Sequence, residues 1–370
     1  MIRKTSLTIF LGFIFLIFNY TYVNAAPYLA TNYFCLIDKD SGQVLYEKGQ
    51  DELRAVASTT KMMTAILVAE YAKPNDLAIV SIKAAKTPAY SIGLKAGQEI
   101  EVDELLKASL IRSANDAAVV LAEHVASDEK FFAYLMTKKA FAIGAVNTNF
   151  TNASGLPNDE HYSTAYDLTV IGSYLLNQEK LQKIVATPKT TFAHPSYRIP
   201  LDIINTNKLL GNYSGANGIK TGTTNLAGNC LVASAKRQDK NLIAVVLKSH
   251  DRTGDCRRLL DYGFNNTKYI KVIDRKTAFK TLNVNNAIKP FIELFPGKDL
   301  YLWEVGDGVS IEKRVRLNYL IEAPIKKGQK LGHIDIYVNN KFFSTIPLIS
   351  MEDNYKKSNI YQWLKENLFY

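Results

Sequence analysis

The stretch from Ser58 to Tyr71 constrains the fold of this chain more than any other. After its first turn it is almost entirely apolar, and the side chains responsible are Met62, Met63, Ile66, Leu67 and Val68. A helix without a polar face is stable only where other elements cover it on every side. The fold must therefore surround this helix, and it must also enclose Lys61 within it.

Ser58 and Lys61 have the spacing S-x-x-K, which is nearly one helical turn and brings both side chains to one face. A serine hydroxyl is a weak nucleophile unless a base takes its proton, and burial turns a lysine into such a base by lowering its pKa. The spacing alone is unspecific, because Ser127–Lys130 and Ser310–Lys313 share it. Only the Ser58 copy is predicted to open a buried helix, and a serine and lysine without catalytic function stay an alternative.

Two further short motifs occur once each. Ser113–Asn115 is an S-x-N sequence, although serine and asparagine are also typical of an ordinary helix start. Lys220–Gly222 reads K-T-G and ends a predicted strand, where a cation and a hydroxyl could hold a peptide carboxylate. Gly222 would let a substrate backbone come close. An exposed lysine on an edge strand is the alternative for this motif.

Together and in this order, S-x-x-K, S-x-N and K-T-G are the signature set of penicillin-binding proteins and serine β-lactamases. Over roughly residues 30–350 the chain resembles the low-molecular-mass D-alanyl-D-alanine carboxypeptidases among them, peptidase family S11. The stretches that carry the resemblance are Ala57–Ala65, Ser113–Ala118, Asn152–Leu156, His161–Asp167, Gly218–Thr224, Ala227–Gly228 and Leu259–Phe264.

By position, the resemblance implies three catalytic residues. Ser58 would attack the carbonyl of the penultimate D-alanine, Lys61 would accept its proton, and Ser113 would relay a proton to the leaving D-alanine or later to water. The reaction would remove the terminal D-alanine from peptidoglycan pentapeptide stems, and β-lactam antibiotics would acylate the same serine. No cofactor and no metal are expected.

The resemblance also implies a set of substrate-binding residues, namely Asn115, Lys220, Thr221, Gly222, Thr223 and Arg252. Asn115 would hydrogen-bond the substrate, while Lys220 and Thr221 would hold its terminal carboxylate. Arg252 would be a further carboxylate-binding residue. The backbone N–H groups of Ser58 and Thr223 would form an oxyanion hole.

Three alternatives stay open for the function. A β-lactamase of class A needs a glutamate in an E-x-x-x-N segment, and neither Glu160 nor Glu179 is followed by asparagine at that distance. A D,D-endopeptidase that cuts peptidoglycan cross-links would use identical chemistry. A catalytically inactive wall-binding protein could share the fold.

The order of predicted elements indicates an α+β protein. The resemblance specifies a penicillin-binding/β-lactamase-like transpeptidase fold, an antiparallel sheet with helices on both sides plus a helical subdomain, followed by a small all-β domain. The predicted elements are a hairpin over 32–48, helices over 58–71, 102–111, 115–125 and from Thr164 onward, strands near Gly218–Thr221, Gly228–Ala235 and Leu242–Leu247, a helix around Arg257–Tyr262, and later strands at Ser310–Leu317 and His333–Val338.

We predict four regions: a signal peptide over 1–25, a catalytic domain over 26–268, a β-sandwich domain over 269–350 and an amphipathic tail over 351–370. The first has two positive charges, a short apolar run and small residues at its end, although an uncleaved anchor is an alternative. The mature protein would therefore reach the bacterial periplasm, where it could lie on the outer face of the inner membrane. The apolar stripe of the tail could lie on the membrane surface or pack back on the β domain.

The formal charge of +10 becomes +8 without Arg3 and Lys4, so anionic surfaces would attract the mature protein. Dense basic runs between aromatic residues are missing, so nucleic acid is not an expected partner. We expect a monomer. The three cysteines, Cys35, Cys230 and Cys256, lie in apolar contexts that favour buried free thiols, although one disulfide stays open. The five histidines form no metal-binding motif.

Overall fold

The structure is a computed structural model that describes residues 26–305, 308–318 and 320–357. The predicted signal peptide and residues 358–370 of the predicted tail lie outside the described residues. The first residues of the tail are described, and Asn354 and Lys356 form isolated bridges along the C-terminal β domain. No helix within the described part of the chain is long and apolar enough to cross a membrane.

The region before residue 266 contains both strands and helices. The strands are β1 Tyr33–Asp38, β2 Val44–Lys48, β3 Leu77–Ile79, β4 Glu99–Glu101, β5 Lys189–Phe192, β6 Leu201–Ile204, β7 Ala216–Thr224, β8 Gly228–Arg237 and β9 Lys240–Ser249. The helices are α1 Lys61–Tyr71, α2 Ile82–Ala85, α3 Val102–Lys107, α4 Asn115–Ala126, α5 Glu129–Ala142, α6 Ala165–Leu176, α7 Glu179–Val185 and α8 Arg252–Asn265.

Five of these strands form the central antiparallel sheet, in the order β2-β1-β9-β8-β7. Side chains of β9 alternate between two apolar clusters, because successive residues of a strand face opposite sides. Ile243 and Val245 join the cluster that contains α1, α4 and α6, whereas Leu242 and Ala244 pack with α8 on the other face. Helices therefore cover both faces of the sheet, as the sequence predicted.

Most of these elements were predicted from the sequence, but several predicted boundaries were wrong. The predicted helix over 102–111 ends as an α-helix at Lys107, and Ala108–Arg112 form a π turn. The last helix begins at Arg252 rather than near Arg257, because the Asp251 carboxylate accepts the Gly254 N–H and caps it. Helix α5 was not predicted, since its apolar side chains are spread around the helix and several of them are exposed.

The C-terminal region is all-β. Its strands are β10 Thr267–Ile273, β11 Lys280–Asn283, β12 Phe291–Pro296, β13 Leu300–Val305, β14 Ile311–Leu317, β15 Lys330–Val338 and β16 Lys341–Ser350. Five of them form an antiparallel sheet in the order β11-β12-β16-β15-β14, and β10 pairs with β13. A separate apolar cluster, which includes Leu294, Ile334 and Leu348, fills this region.

Gln43 and Trp303 connect the two regions. The Gln43 amide donates to the Trp303 carbonyl at 2.7 Å and accepts the Trp303 N–H at 2.8 Å, and both groups are buried. The Trp303 side chain packs into the cluster formed by β1, β9 and α8. The β region is thus attached to the central sheet by two satisfied hydrogen bonds and a large apolar side chain.

Cys35, Cys230 and Cys256 are free and buried, as the sequence predicted. Burial raises the pKa of each thiol, and for Cys230 it does so to about 11. A raised pKa leaves little of the reactive thiolate at neutral pH.

We therefore expect the native protein to react only slowly with a thiol reagent such as Ellman's reagent, and the denatured protein to release three equivalents of chromophore per chain. The measurement is a thiol titration at pH 8 with and without guanidinium chloride. A single equivalent in denaturant would mean that two cysteines are bridged.

Candidate active site

The predicted nucleophile lies in a tight turn that leads into α1. Ala57–Thr60 form a short 3-10 helix, and Ala57 has a φ of +49°, which is uncommon for a residue with a Cβ. Two threonine hydroxyls hold this turn. Thr60 donates to the Ala57 carbonyl at 2.7 Å, and Thr59 donates to the Val56 carbonyl at 2.8 Å. Ser58 is half-buried at the entry of the helix.

Lys61 is fully buried, and its amine reaches three oxygens. Its Nζ lies 2.8 Å from Ser58 Oγ, 2.6 Å from Asn115 Oδ1 and 2.7 Å from the Ser154 carbonyl. Two of these partners, Asn115 Oδ1 and the Ser154 carbonyl, can only accept, so a neutral amine can donate to both and turn its lone pair to the Ser58 hydroxyl. Residues from three separate parts of the chain therefore meet at one nitrogen.

The electrostatic environment of Lys61 disfavours its charged form. Burial lowers the pKa of Lys61 well below its ordinary value, and the charge of Lys220 lowers it further, while the Asp116 carboxylate raises it. A neutral amine in contact with Ser58 Oγ can take the proton of that hydroxyl.

Asn115 is the first residue of α4, and its side-chain amide is held at both ends. Its Nδ2 donates to the carbonyls of Pro88 and Ala89 at 3.3 and 3.0 Å, which turns Oδ1 toward Lys61. The asparagine of the S-x-N motif thus accepts a hydrogen bond from Lys61 and is also the first residue of a helix.

The Ser154 carbonyl is positioned by a turn built on Asn152. Asn152 Oδ1 accepts the N–H groups of Ser154, Gly155 and Leu156 at 3.2, 2.7 and 3.1 Å. Gly155 has a φ of +82°, and a Cβ there would overlap the Ala57 carbonyl. Only glycine fits this contact between the turn and the nucleophile.

Ser113 follows the π turn in a left-handed conformation, with φ +70° and ψ +30°. It is 7% exposed and lies two residues before Asn115. Within the described part of the chain its hydroxyl has no hydrogen-bond partner, and none joins it directly to Ser58 or Lys61.

The K-T-G motif lies in β7, the edge strand of the sheet. Lys220 is buried, and its Nζ donates only to the Thr221 carbonyl, at 3.2 Å, among the residues that the structure describes. Burial, together with the nearby charge of Arg252, lowers the pKa of Lys220 to about 7. The Thr221 hydroxyl is paired with that of Thr206 at 2.6 Å.

Gly222 has a close neighbour that the sequence did not predict. A Cβ at this residue would lie 2.8 Å from the Val56 carbonyl oxygen and 3.1 Å from the Ser58 backbone nitrogen. The missing side chain therefore allows β7 to approach the turn at Val56–Ser58, which is a contact within the protein.

Arg252, the first residue of α8, points at the same strand. Its Nη1 donates to the Gly222 carbonyl at 2.9 Å and to Thr223 Oγ1 at 2.7 Å. Burial lowers the pKa of Arg252. The structure therefore brings Arg252 beside Thr223 and close to Lys220, so that the end of β7 has two cations with few anionic partners.

Comparison with known proteins identifies this arrangement. The family model described as D-alanyl-D-alanine carboxypeptidase, peptidase S11, matches residues 21–251, which is more than half of the 370 residues. The chain belongs to this family. The prediction of a serine-type D-alanyl-D-alanine carboxypeptidase is thereby confirmed at the level of enzyme class.

Relatives and solved structures agree with this family. The chain is 33% identical to D-alanyl-D-alanine carboxypeptidase DacF of Bacillus subtilis, over 90% of this chain and 88% of that protein. It is 32% identical to D-alanyl-D-alanine carboxypeptidase DacC of Escherichia coli, over 89% of this chain and 85% of that protein. Penicillin-binding protein 5 from Haemophilus influenzae is similar in structure, with a TM-score of 0.74, 27% identity, and coverage of 90% of this chain and 99% of that chain. The model for the C-terminal domain of penicillin-binding protein 5 matches residues 268–356.

Sequence reasoning missed several residues of this carboxypeptidase site. Asp116 is buried and accepts the N–H groups of residues 92–94, which holds the loop before α3 against α4. His161 is buried beside the nucleophile turn, with Nε2 2.8 Å from Thr60 Oγ1. Both lie in stretches that carry the family resemblance, but neither has a spacing that indicates its contacts.

The two other S-x-x-K sequences lack this environment. Ser127–Lys130 runs into helix α5, but this helix is only partly buried and Lys130 is exposed. Lys313 is exposed in β14. Within the described ranges, no three His, Cys, Asp or Glu side chains come together where they could hold a metal ion.

His161 should make the stability of the protein depend on pH. Burial and the charge of Lys61 lower its pKa from 6.5 to about 4. The unfolded chain therefore binds more protons between these values, and the folded state loses stability as the pH falls from about 6.5 toward 4. Relative to His161→Gln, the wild type should lose about 2 kcal/mol of unfolding free energy between pH 7 and pH 4.5. Urea titrations at the two pH values measure this; equal losses in both proteins would contradict it.

Proposed function

We infer that this carboxypeptidase removes the terminal D-alanine from peptidoglycan stem peptides ending in D-Ala-D-Ala, through an acyl-enzyme on Ser58. The observation that carries this inference is the 2.8 Å contact between Lys61 Nζ and Ser58 Oγ inside an apolar core. A base with a lowered pKa in contact with a serine hydroxyl is the arrangement that nucleophilic acyl transfer requires.

In the first half-reaction, Ser58 Oγ attacks the carbonyl carbon of the penultimate D-alanine and its proton passes to Lys61. The peptide C–N bond then breaks, and the leaving D-alanine takes up a proton through Ser113. The hydroxyl of Ser113 has no internal partner within the described residues, so it is free for this relay. In the second half-reaction, water attacks the ester carbonyl and the bond between its carbon and Ser58 Oγ breaks. The water proton passes through Lys61 to Ser58 Oγ, and the shortened peptide leaves with a new terminal carboxyl group.

The charges at the end of β7 suit a substrate that ends in a carboxylate. Lys220 is buried with one hydrogen bond, at 3.2 Å, its pKa of about 7 leaves it partly protonated at neutral pH, and the Arg252 guanidinium lies close by. A carboxylate bound there would remove the repulsion between the two cations and supply charge-assisted hydrogen bonds. We assign Thr221 and Thr223 to the same subsite, and Asn115 to the substrate amide as well as to Lys61.

The same site would be acylated by β-lactam antibiotics, which present an activated amide and a carboxylate. A rapid β-lactamase reaction is disfavoured, because the two candidate glutamates are unsuited to activating water. Glu160 and Glu179 are both exposed, and Glu179 is paired with Lys183 at 2.6 Å.

We propose the cell envelope as the place of action and peptidoglycan as the partner.

The first prediction concerns D-alanine release by the purified protein from a diacylated peptide ending in D-Ala-D-Ala. The wild type should release D-alanine, and Ser58→Ala should lower the rate by at least about a thousandfold, because it removes the nucleophile. Ser127→Ala and Ser310→Ala are matched controls from the two other S-x-x-K sequences and should keep the wild-type rate. A folded wild type that cleaves only cross-linked muropeptides would favour the endopeptidase, and one that cleaves neither would favour the wall-binding protein.

The second prediction concerns acylation by benzylpenicillin. Intact-mass spectrometry should show one added penicilloyl group on the wild type and none on Ser58→Ala, and the adduct should persist for minutes. Rapid turnover of the drug without a persistent adduct would instead indicate a β-lactamase.

A further inference from the structure

His161 is buried next to the nucleophile turn, and no role follows for it from the reaction itself. It is 4% exposed and lies between Thr60 on one side and Thr151 on the other. Its ring is also packed edge-on against Phe150 at 5.4 Å. The ring is thus held in one orientation by contacts on three sides.

The hydrogen bonds around His161 run in one direction, from Thr151 through the ring and Thr60 to the Ala57 carbonyl. The backbone N–H of Thr151 donates to Nδ1 at 3.2 Å, so Nδ1 is the acceptor of the ring. In the neutral ring the proton is therefore on Nε2, which donates to Thr60 Oγ1 at 2.8 Å. Thr60 in turn donates its single hydroxyl proton to the Ala57 carbonyl at 2.7 Å.

This chain of hydrogen bonds ends on the peptide group that joins Ala57 to Ser58. In a planar trans peptide the C=O and the N–H point in opposite directions, so fixing the Ala57 carbonyl also fixes the Ser58 N–H. Within the described residues the Ser58 N–H has no acceptor, and its nitrogen lies beside β7, 3.1 Å from where a Cβ on Gly222 would be. This N–H is available for an oxyanion.

The peptide needs to be held, because its conformation is not the one that alanine prefers. Ala57 has a φ of +49°, which costs about 1 kcal/mol for a residue with a Cβ. Gly155 packs against the other side of the Ala57 carbonyl. Without the hydrogen bond from Thr60, the carbonyl could rotate and carry the Ser58 N–H away from β7.

We propose that His161 is a positioning residue for the oxyanion hole: through Thr60 it holds the Ala57–Ser58 peptide so that the Ser58 N–H points at the developing oxyanion. This inference rests on the proposed function, since it requires acyl transfer at Ser58. Burial and the charge of Lys61 lower the pKa of His161 to about 4, so the ring is neutral at pH 7 and keeps one donor and one acceptor. The effect acts on both half-reactions, because each passes through a tetrahedral oxyanion.

The test compares substitutions that remove or keep the two hydrogen bonds of the ring. His161→Leu removes both, whereas the amide of His161→Gln can accept from Thr151 and donate to Thr60. We expect the leucine variant to lower kcat for D-alanine release on the order of 10- to 100-fold with KM changed less than about threefold, because a displaced oxyanion donor affects mainly the transition state. The glutamine variant should keep kcat within about threefold of the wild type. His333→Leu, in the C-terminal β domain, is the control for loss of a histidine elsewhere.

A second pair examines the middle of the chain of hydrogen bonds. Thr60→Val should lower kcat as His161→Leu does, and Thr60→Ser should keep it. Since both residues act through the same carbonyl, the double variant should be no slower than the slower single variant. If His161→Leu does not fold, as judged by thermal unfolding, the comparison of valine with serine at residue 60 makes the same test.

The outcomes separate this inference from the proposed function. Wild-type release of D-alanine that depends on Ser58, together with a folded His161→Leu of unchanged kcat, would overturn the positioning role alone. Multiplicative losses in the double variant, or a glutamine variant as slow as leucine, would do the same. Absence of release by the folded wild type would overturn the proposed function and the inference with it.

Discussion

The three hydrogen bonds of the Lys61 amine are the interaction on which the rest of the structure depends. An ammonium removed from water without partners would cost several kcal/mol, so the protein has to bring oxygens to it. The oxygens come from the nucleophile turn, the start of α4 and the Asn152 turn, which are far apart in the chain. The apolar side chains of α1 surround the amine with a low-dielectric environment. The nucleophile turn, the start of α4 and the Asn152 turn each provide one oxygen to the Lys61 nitrogen.

A second buried lysine, Lys220, differs from Lys61 in how few hydrogen-bond partners it has. Lys61 has three oxygen partners, whereas Lys220 has a single weak one among the described residues and a neighbouring cation in Arg252. Since neighbouring positive charges disfavour one another, an incoming anion stabilises the end of β7, and the charge of Lys220 adds to burial in lowering the pKa of Lys61. Repulsion between Lys220 and Arg252 thus favours binding of an anionic substrate group, and repulsion from Lys220 favours the neutral form of Lys61 that can accept a proton.

The parts of this site that could be predicted from the sequence are those in which chemistry and local structure coincide. Ser58 and Lys61 are one helical turn apart, and Lys220 lies in a strand that the sequence reveals. The Ser154 carbonyl and the His161 ring could not be predicted, because they act through contacts between residues about a hundred positions apart. A backbone carbonyl has no side-chain signature. The predicted role of Gly222 was incomplete for a similar reason, since its close neighbour is the turn at Val56–Ser58.

The strand order β2-β1-β9-β8-β7 places β1, the first strand among the described residues, beside β9, so Tyr33–Asp38 pair with residues 242–247. A ribosome makes the chain from its N-terminus, and β1 therefore has no partner on that side until some two hundred further residues have been added. The central sheet cannot close, and Arg252 cannot reach β7, before almost the whole catalytic region has left the ribosome. Until then β1 has only β2 beside it, so the sheet that carries β7 is among the last parts of this region to be completed.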